Sequence, residues 1–316
     1  MKISGFTFLR NGSKLYYPIT ESIRSALPLV DEFVVALGQG DPDDQSREMI
    51  ESIDSDKIRI IDTTWDLERY PRGMEHAHQT DIAKQACTGD WLIYLQGDEV
   101  LHEEDLPVLR ERCQKYLNRP EVEGMVLDYL HFWGNYNHHH LSHGWYKREI
   151  RLVRNLPEIH SFASAQSFRK IINFDGVSYR NKKGAEKLHC VPARARIFHY
   201  GWVRPPEKMQ MKSRYIDTNH HGKRFVSEKY KSAPPEFDYG PLSAVARYHG
   251  THPQVMREKI ATLSWGDKLY EHEPAHSKRP RHKHERLKYR LLTWLEQNLL
   301  GGRSLGDSHN FTLIKD

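Results

Sequence analysis

Cysteine is scarce in this 316-residue chain: Cys87, Cys113 and Cys190 are too few and too scattered for a disulfide framework or a clustered zinc site, as a reducing compartment would permit. Long apolar runs are missing too. FVVAL and WLIYL fall far short of the roughly 20 residues that a spanning helix needs. The N-terminus, MKISGFTFLRNG, has neither a long apolar region nor a small-residue cleavage site, so it reads as a strand rather than a secretory signal, and a cytoplasmic location is expected. No internal repeat or extended low-complexity tract stands out.

What is present is a folded, soluble composition. A hydrophobic fraction of 38% beside 28% charged residues places the chain with globular proteins, and its length allows one large domain or a domain plus an extension. The first hundred residues alternate between strand and helix periodicities: ISGFTFL, EFVVAL and KIRII read as strands, and YPITESIRSALPL and DDQSREMIESI as helices. A further helix is expected over 75–87, followed by WLIYL, apolar at every position like a strand covered on both faces. Such a βαβ series implies a parallel sheet with ligands beyond the carboxyl ends of its strands. Those ends lead into RNG, GQGDPDD, DTTWD and QGDE. Asp41–Asp44 would cap the next helix, touch a ribose or bind a metal, and Asp105 would cap a helix over LPVLRERCQKYL.

Past residue 105 the pattern loosens, and the α/β core is expected to end near residue 205, leaving 206–316 as a helical and loop extension. NHHHLSHGW, with His138, His139, His140 and His143, lacks the acidic or thiolate companions of a zinc motif and reads as a surface loop. Residues 276–290 carry seven Lys or Arg against one Glu, within a net charge of +5, and run into LLTWLEQNLL. That combination suits an amphipathic helix lying on an anionic membrane surface, or one packed back on the core. It shows no nucleic-acid reader motif, and no nucleic-acid partner is expected.

GDWLIYLQGDEVL is similar to the stretch around the Asp-x-Asp motif of GT-A fold, family 2 glycosyltransferases that use nucleotide sugars. SGFTFLRNG, VDEFVVALGQGDPDDQSREMI and HQTDIAKQACTGDW resemble the elements preceding that motif, and HFWGNY, WYKREIRLVRN, AQSFRK and HYGWVRPPEKMQMK resemble later ones, over about residues 1–212. The resemblance implies a Rossmann-like, mostly parallel sheet with helices on both faces. It also implies a nucleotide-sugar donor, a glycan or lipid-linked acceptor, Mn²⁺ or Mg²⁺, inversion at the anomeric carbon, and a role in cell-surface polysaccharide synthesis.

Carried over by position, Asp98 would ligate the metal with Glu99 beside it, and His199 would supply a later ligand or serve only in packing. Phe8, Arg10, Asn11, Gly38, Gln39, Asp66, Gln79, Asp81, Gln96 and Gly97 would surround the donor. Trp145, Arg148 and Trp202 would face the acceptor, with a core role the alternative for Trp202. The acceptor hydroxyl needs a base, and Glu149 and Glu158 are the candidates, a salt bridge with Lys147, Arg148 or Arg151 being the alternative for Glu149. Three positions depart from the family. Leu37-Gly38-Gln39 lacks an Asp that often contacts the base, Thr80-Asp81 replaces Arg-Asn, and Ser164 stands where relatives carry an Asp. A sugar nucleotidyltransferase is a rival, though FLRNGSKLYY is a poor version of its Gly-rich loop. A non-catalytic glycan-binding module, suggested by Thr80 and Ser164, is another.

Overall fold

The computed structural model describes residues 1–306 and 309–316. The first half follows the expected alternation: β1 (Ile3–Leu9), α1 (Ile19–Ala26), β2 (Glu32–Gly38), α2 (Ser46–Glu51), β3 (Ile58–Thr63), α3 (Met74–Gln85), β4 (Trp91–Tyr94), β5 (Glu99–Leu101) and α4 (Leu106–Tyr116). Then come β6 (Gly124–Trp133), β7 (His138–His139), β8 (Arg148–Arg154), β9 (Ile159–Phe162), β10 (Ser167–Ile171) and β11 (Ala185–Trp202). The remainder holds α5 (Pro206–Lys229), β12 (Ala246–Arg247), α6 (Arg257–Ala261), α7 (Leu287–Asn298) and β13 (Phe311–Leu313).

The strands run in the order β3-β2-β1-β4-β8-β6-β11-β10-β9. From β3 to β4 neighbours are parallel, while β8 joins antiparallel to both β4 and β6. Alternation along the strands explains why the sheet is covered twice. Phe33, Val35, Leu37, Trp91 and Ile93 enter one core with Ile19 and Ile23 of α1 and Leu109 of α4. Val34, Ala36, Leu92 and Tyr94 enter the other with Ala83 of α3. WLIYL is therefore a central strand, and the turn after it emerges at the end of the sheet where ligands gather.

Two capping expectations fail because the carboxylates have longer-range partners. Asp105 accepts from the Arg196 amide at 2.9 Å, and Asp44 accepts from the Asn11 amide (3.1 Å) and the Ser13 hydroxyl (2.7 Å), tying the loop after β1 to the loop after β2. The histidine-rich stretch also differs from a surface loop. His138, His139 and His140 are buried, with β7 pairing to β6 and β12. Nor is the extension helix and loop alone, since β13 joins the main sheet parallel to β11.

The opposite end of the parallel sheet is pinned by Glu32, which accepts from the Ser4 hydroxyl (2.6 Å) and from the Thr88 amide and hydroxyl (both 2.7 Å). Burial opposes the charge, yet the bonds from Ser4 and Thr88 outweigh it and hold the pKa at about 2, against an ordinary 4.5. A depressed carboxylate contributes stability above its unfolded pKa and loses it as pH falls toward the folded one. Acid unfolding of Glu32→Gln is thus expected to lack a component of about 1–2 kcal/mol between pH 4.5 and 2, read by denaturant melts across that window.

Candidate active site

A cleft of about 720 Å³ opens beyond β1 and β4 and is closed on one side by α5. Of the donor, metal and acceptor candidates, Phe8, Arg10, Gln96, Gly97, Asp98, His199 and Trp202 line it. Register brings Asp98 and His199 together. β5 runs antiparallel to β11 with Glu99 opposite His199, and the Tyr200 amide donates to the Asp98 carbonyl at 2.8 Å.

The state of His199 is set by its neighbours. His131 Nε2 lies 2.8 Å from the Tyr146 carbonyl, which can only accept, so Nε2 carries the proton. Burial pushes the His131 pKa down to about 3, keeping the ring neutral and leaving its Nδ1 as an acceptor. His199 Nδ1, 2.9 Å away, must therefore donate. Its own pKa is pushed down to about 4, burial prevailing over the attraction of Asp98, so His199 Nε2 bears a lone pair. That nitrogen sits 3.8 Å from Asp98 Oδ1. Two acceptors thus face one another at a separation that a cation bound to both would span. Gly201 keeps the space open, because a Cβ there would come within 2.5 Å of His199 Nε2 and 3.0 Å of Asp98 Oδ2. Asp98 and His199 are thus the residues here that could hold a divalent cation, one offering a carboxylate oxygen and the other an imidazole nitrogen. Gly201→Ala is expected to weaken Mn²⁺-dependent nucleotide binding by about tenfold or more, measured by calorimetry, with the circular dichroism spectrum unchanged.

Glu99 does not join them. Its carboxylate takes a two-pronged contact from Arg151 (2.7 and 2.8 Å) and a bond from the Tyr129 hydroxyl (2.7 Å), all fully or nearly fully buried and outside the cleft. With both oxygens occupied it is a structural anchor, which corrects its assignment as a ligand.

Two basic residues that sequence reading passed over meet Asp98 instead. Lys212 Nζ donates to Asp98 Oδ2 and to the Gly201 carbonyl, each at 2.8 Å, and Arg204 Nη2 lies 3.7 Å from the same carboxylate. Burial works against the Asp98 charge, but Lys212, His199 and Arg204 together hold its pKa far below the carboxylate range. Arg204 and Lys212 also lie over the Tyr17 ring, at 4.8 and 4.9 Å, and among the described residues Arg204 Nε and Nη2 meet no hydrogen-bond partner. Arg10, Lys212 and Lys229 line the cleft with Asp98 and Asp217, so cationic side chains outnumber the carboxylates there.

Aromatic rings build the outer wall. Arg10 lies 5.2 Å over Trp65, and the Trp65 ring lies 5.9 Å from Phe8, 5.3 Å from His76 and 6.5 Å from Tyr215. Gly38 makes room for this ring: a Cβ would meet Trp65 Nε1 at 2.3 Å. Trp202 both lines the cleft and stacks on Trp133 at 4.9 Å.

Other candidates fall elsewhere. Gly38 and Gln39 border an adjoining 470 Å³ hollow with Asp41 and Asp62, and Asn11 braces the loops through its amide and through Oδ1, which accepts from Asp41 N at 2.7 Å. Asp66 caps the turn at Glu68 and Arg69, and Gln79 is buried between Thr63 and Glu75. Asp81 holds His160 (2.7 Å) and Ser161 N (2.8 Å) at a separate 600 Å³ pocket that Glu158 also borders. Glu149, 2% exposed, accepts from Ile150 N, Ser167 Oγ and Asn310 Nδ2, with its pKa raised by burial; it lines a third pocket with Trp145 and Arg148. Neither Glu149 nor Glu158 lines the 720 Å³ cleft, and Trp145 and Arg148 do not line it. Asp217 of α5 does; beside Asp98 it is the other carboxylate lining the cleft among the described residues.

No family model and no curated protein matches the chain. Among solved structures, S. aureus TarS (residues 1–349) shares 14% identity over 74% of this chain and 73% of that one, with a TM-score of 0.36. Its complex with UDP gives 15% identity, the same coverage and a TM-score of 0.37. Glucosyl-3-phosphoglycerate synthase from Mycobacterium tuberculosis, in complex with Mn²⁺, UDP and phosphoglyceric acid, shares 17% identity over 42% of this chain and 43% of that one, at a TM-score of 0.28.

Proposed function

We propose that the protein is a glycosyltransferase that moves a sugar from a nucleoside diphosphate to a hydroxyl of a glycan or lipid-linked acceptor. The observation that carries this reading is the meeting of Asp98 and the His199 Nε2 lone pair across a gap that Gly201 keeps open, beside Lys212, Arg204 and Arg10. Residues 1–205 would hold the donor and α5 would close over it.

In this reading the nucleobase and ribose lie along Phe8, Trp65 and Tyr215, where flat rings suit a flat base. Asp98 and His199 would hold Mn²⁺ or Mg²⁺, which supplies charge neutralisation to the departing diphosphate. Lys212 and Arg204 add fixed positive charge at the same oxygens, in a buried setting where such charge acts strongly. Trp202 offers the sugar a ring to stack against. Asp217, whose charge burial opposes but Lys229 and Tyr230 more than stabilise, is ionised at neutral pH and can accept the acceptor proton.

Release of nucleoside diphosphate from a panel of nucleotide sugars, with Mn²⁺ or with chelator, tests the reading. Turnover with one donor that ceases on chelation is expected. Pyrophosphate release from a sugar phosphate and a nucleoside triphosphate would favour a nucleotidyltransferase, and glycan binding with no turnover would favour a non-catalytic module.

A further inference from the structure

Helix α7 is held to the protein by one side only. Glu296, fully buried, accepts from His143 Nδ1 (2.6 Å), Lys147 Nζ (3.2 Å) and Leu305 N (2.8 Å), and Thr293 Oγ1 accepts from His143 N (2.9 Å). At about 100° per residue, Leu287, Leu291 and Trp294 fall on the opposite side, within one narrow face. All three are open to solvent, at 80%, 57% and 54% exposure. Leu299, Leu300 and Leu305, past the helix end, are exposed as well. An unpartnered apolar strip of this kind marks an interaction surface.

Its surroundings say what it meets. Lys288 and Arg290 flank the strip, and Lys278, Arg281, Lys283 and Arg286 precede it in the chain; all six are exposed. None of the six forms an ion pair with a carboxylate among the described residues, while the two acids within the segment are already taken, Glu285 by Arg279 and Glu296 by His143 and Lys147. Unneutralised cations on long aliphatic stems beside a Leu/Trp face are the chemistry of a helix lying in a lipid interface, with its rings and leucines among the acyl chains and its cations at the phosphates. Among the described residues no helix is long and apolar enough to cross a membrane, so contact through these elements would be by surface docking.

We infer that α7 and the basic segment before it dock the protein on an anionic lipid bilayer, Leu287, Leu291 and Trp294 inserting and Lys288 and Arg290 engaging headgroups. The docking uses no residue of the donor cleft. A lipid-linked acceptor would be delivered to an enzyme held in this way.

Sedimentation of the full-length protein with phosphatidylcholine vesicles, with and without phosphatidylglycerol, tests the inference without any nucleotide. Its failure would therefore leave the reading of the cleft untouched. Binding to the phosphatidylglycerol vesicles is expected, falling by about tenfold or more in Leu291→Glu/Trp294→Glu. Lys288→Glu/Arg290→Glu should weaken it as well, as should raising salt from about 0.1 M to about 1 M, which shortens the screening length from about 10 Å to about 3 Å. The altered side chains are exposed, so an unchanged melting temperature is expected in both variants. Failure of the parent protein to bind, or undiminished binding by Leu291→Glu/Trp294→Glu, would overturn the inference. A solution dimer of the parent that Trp294→Glu dissociates would overturn it too, assigning the strip to a second copy of the chain.

Discussion

Asp98→Asn is expected to lower sugar transfer on the order of 10²–10³-fold or more, because this one carboxylate faces His199, Lys212 and Arg204. The amide keeps the volume but removes the charge that balances two buried cations. Affinity for a divalent cation should fall with it, since a neutral oxygen is a far poorer partner for a hard ion. Lys212 and Arg204 would remain beside the diphosphate, so binding of nucleotide alone should fall less than metal-dependent turnover. Steady-state rates over a Mn²⁺ titration read both effects. A variant with rates and metal dependence like the parent would remove Asp98 from the chemistry.

Arg151→Ala should act on stability instead. The side chain is fully buried against Glu99, and its Nη1 also donates to the Ile150 and Gln166 carbonyls at 2.8 Å. Removing it strands a carboxylate in the core, a change that costs about 3–5 kcal/mol. A fall in melting temperature of roughly 5–15 °C is expected by calorimetry. Glu99→Ala should behave similarly, leaving the guanidinium stranded, and the Mn²⁺ affinity of the folded fraction should be preserved. A stable Glu99→Ala variant that had lost its metal would instead restore Glu99 as a ligand.

The contrast between these neighbours explains how far the sequence could be read. The βαβ series was legible because strand and helix periodicities differ, and WLIYL could be recognised as a covered central strand because both its faces are apolar. The position of Asp98 could be read from that, since a turn after such a strand opens where ligands bind. What the one-dimensional pattern does not carry is which way adjacent acids turn. Asp98 faces the cleft, while Glu99 opens β5 and is drawn inward by an arginine 52 residues later in the chain.

Contacts across large separations hid the rest. Lys212 lies 114 residues from Asp98, and HYGWVRPPEKMQMK held both Arg204 and Lys212 without any spacing that would mark them as partners of an acid. Glu149 looked like a base or a salt-bridge partner because Lys147, Arg148 and Arg151 surround it in sequence. A period of two would put Lys147, Glu149 and Arg151 on one face, yet Arg151 pairs with Glu99 and Lys147 with Glu296, acids that lie far from them in sequence. The histidines after residue 137 read as a surface loop on polarity alone, although pairing of β7 with β6 and β12 buries His138, His139 and His140.

Under the proposed function Asp98 and His199 share a cation at a diphosphate site. Titration calorimetry of the parent and of Asp98→Asn with a panel of nucleoside diphosphates, with and without Mn²⁺, tests it most directly. Mn²⁺ is expected to tighten binding of at least one nucleotide to the parent, and Asp98→Asn to abolish this enhancement while remaining folded. Equal enhancement in both proteins, or no nucleotide binding by the parent under any condition, would contradict it.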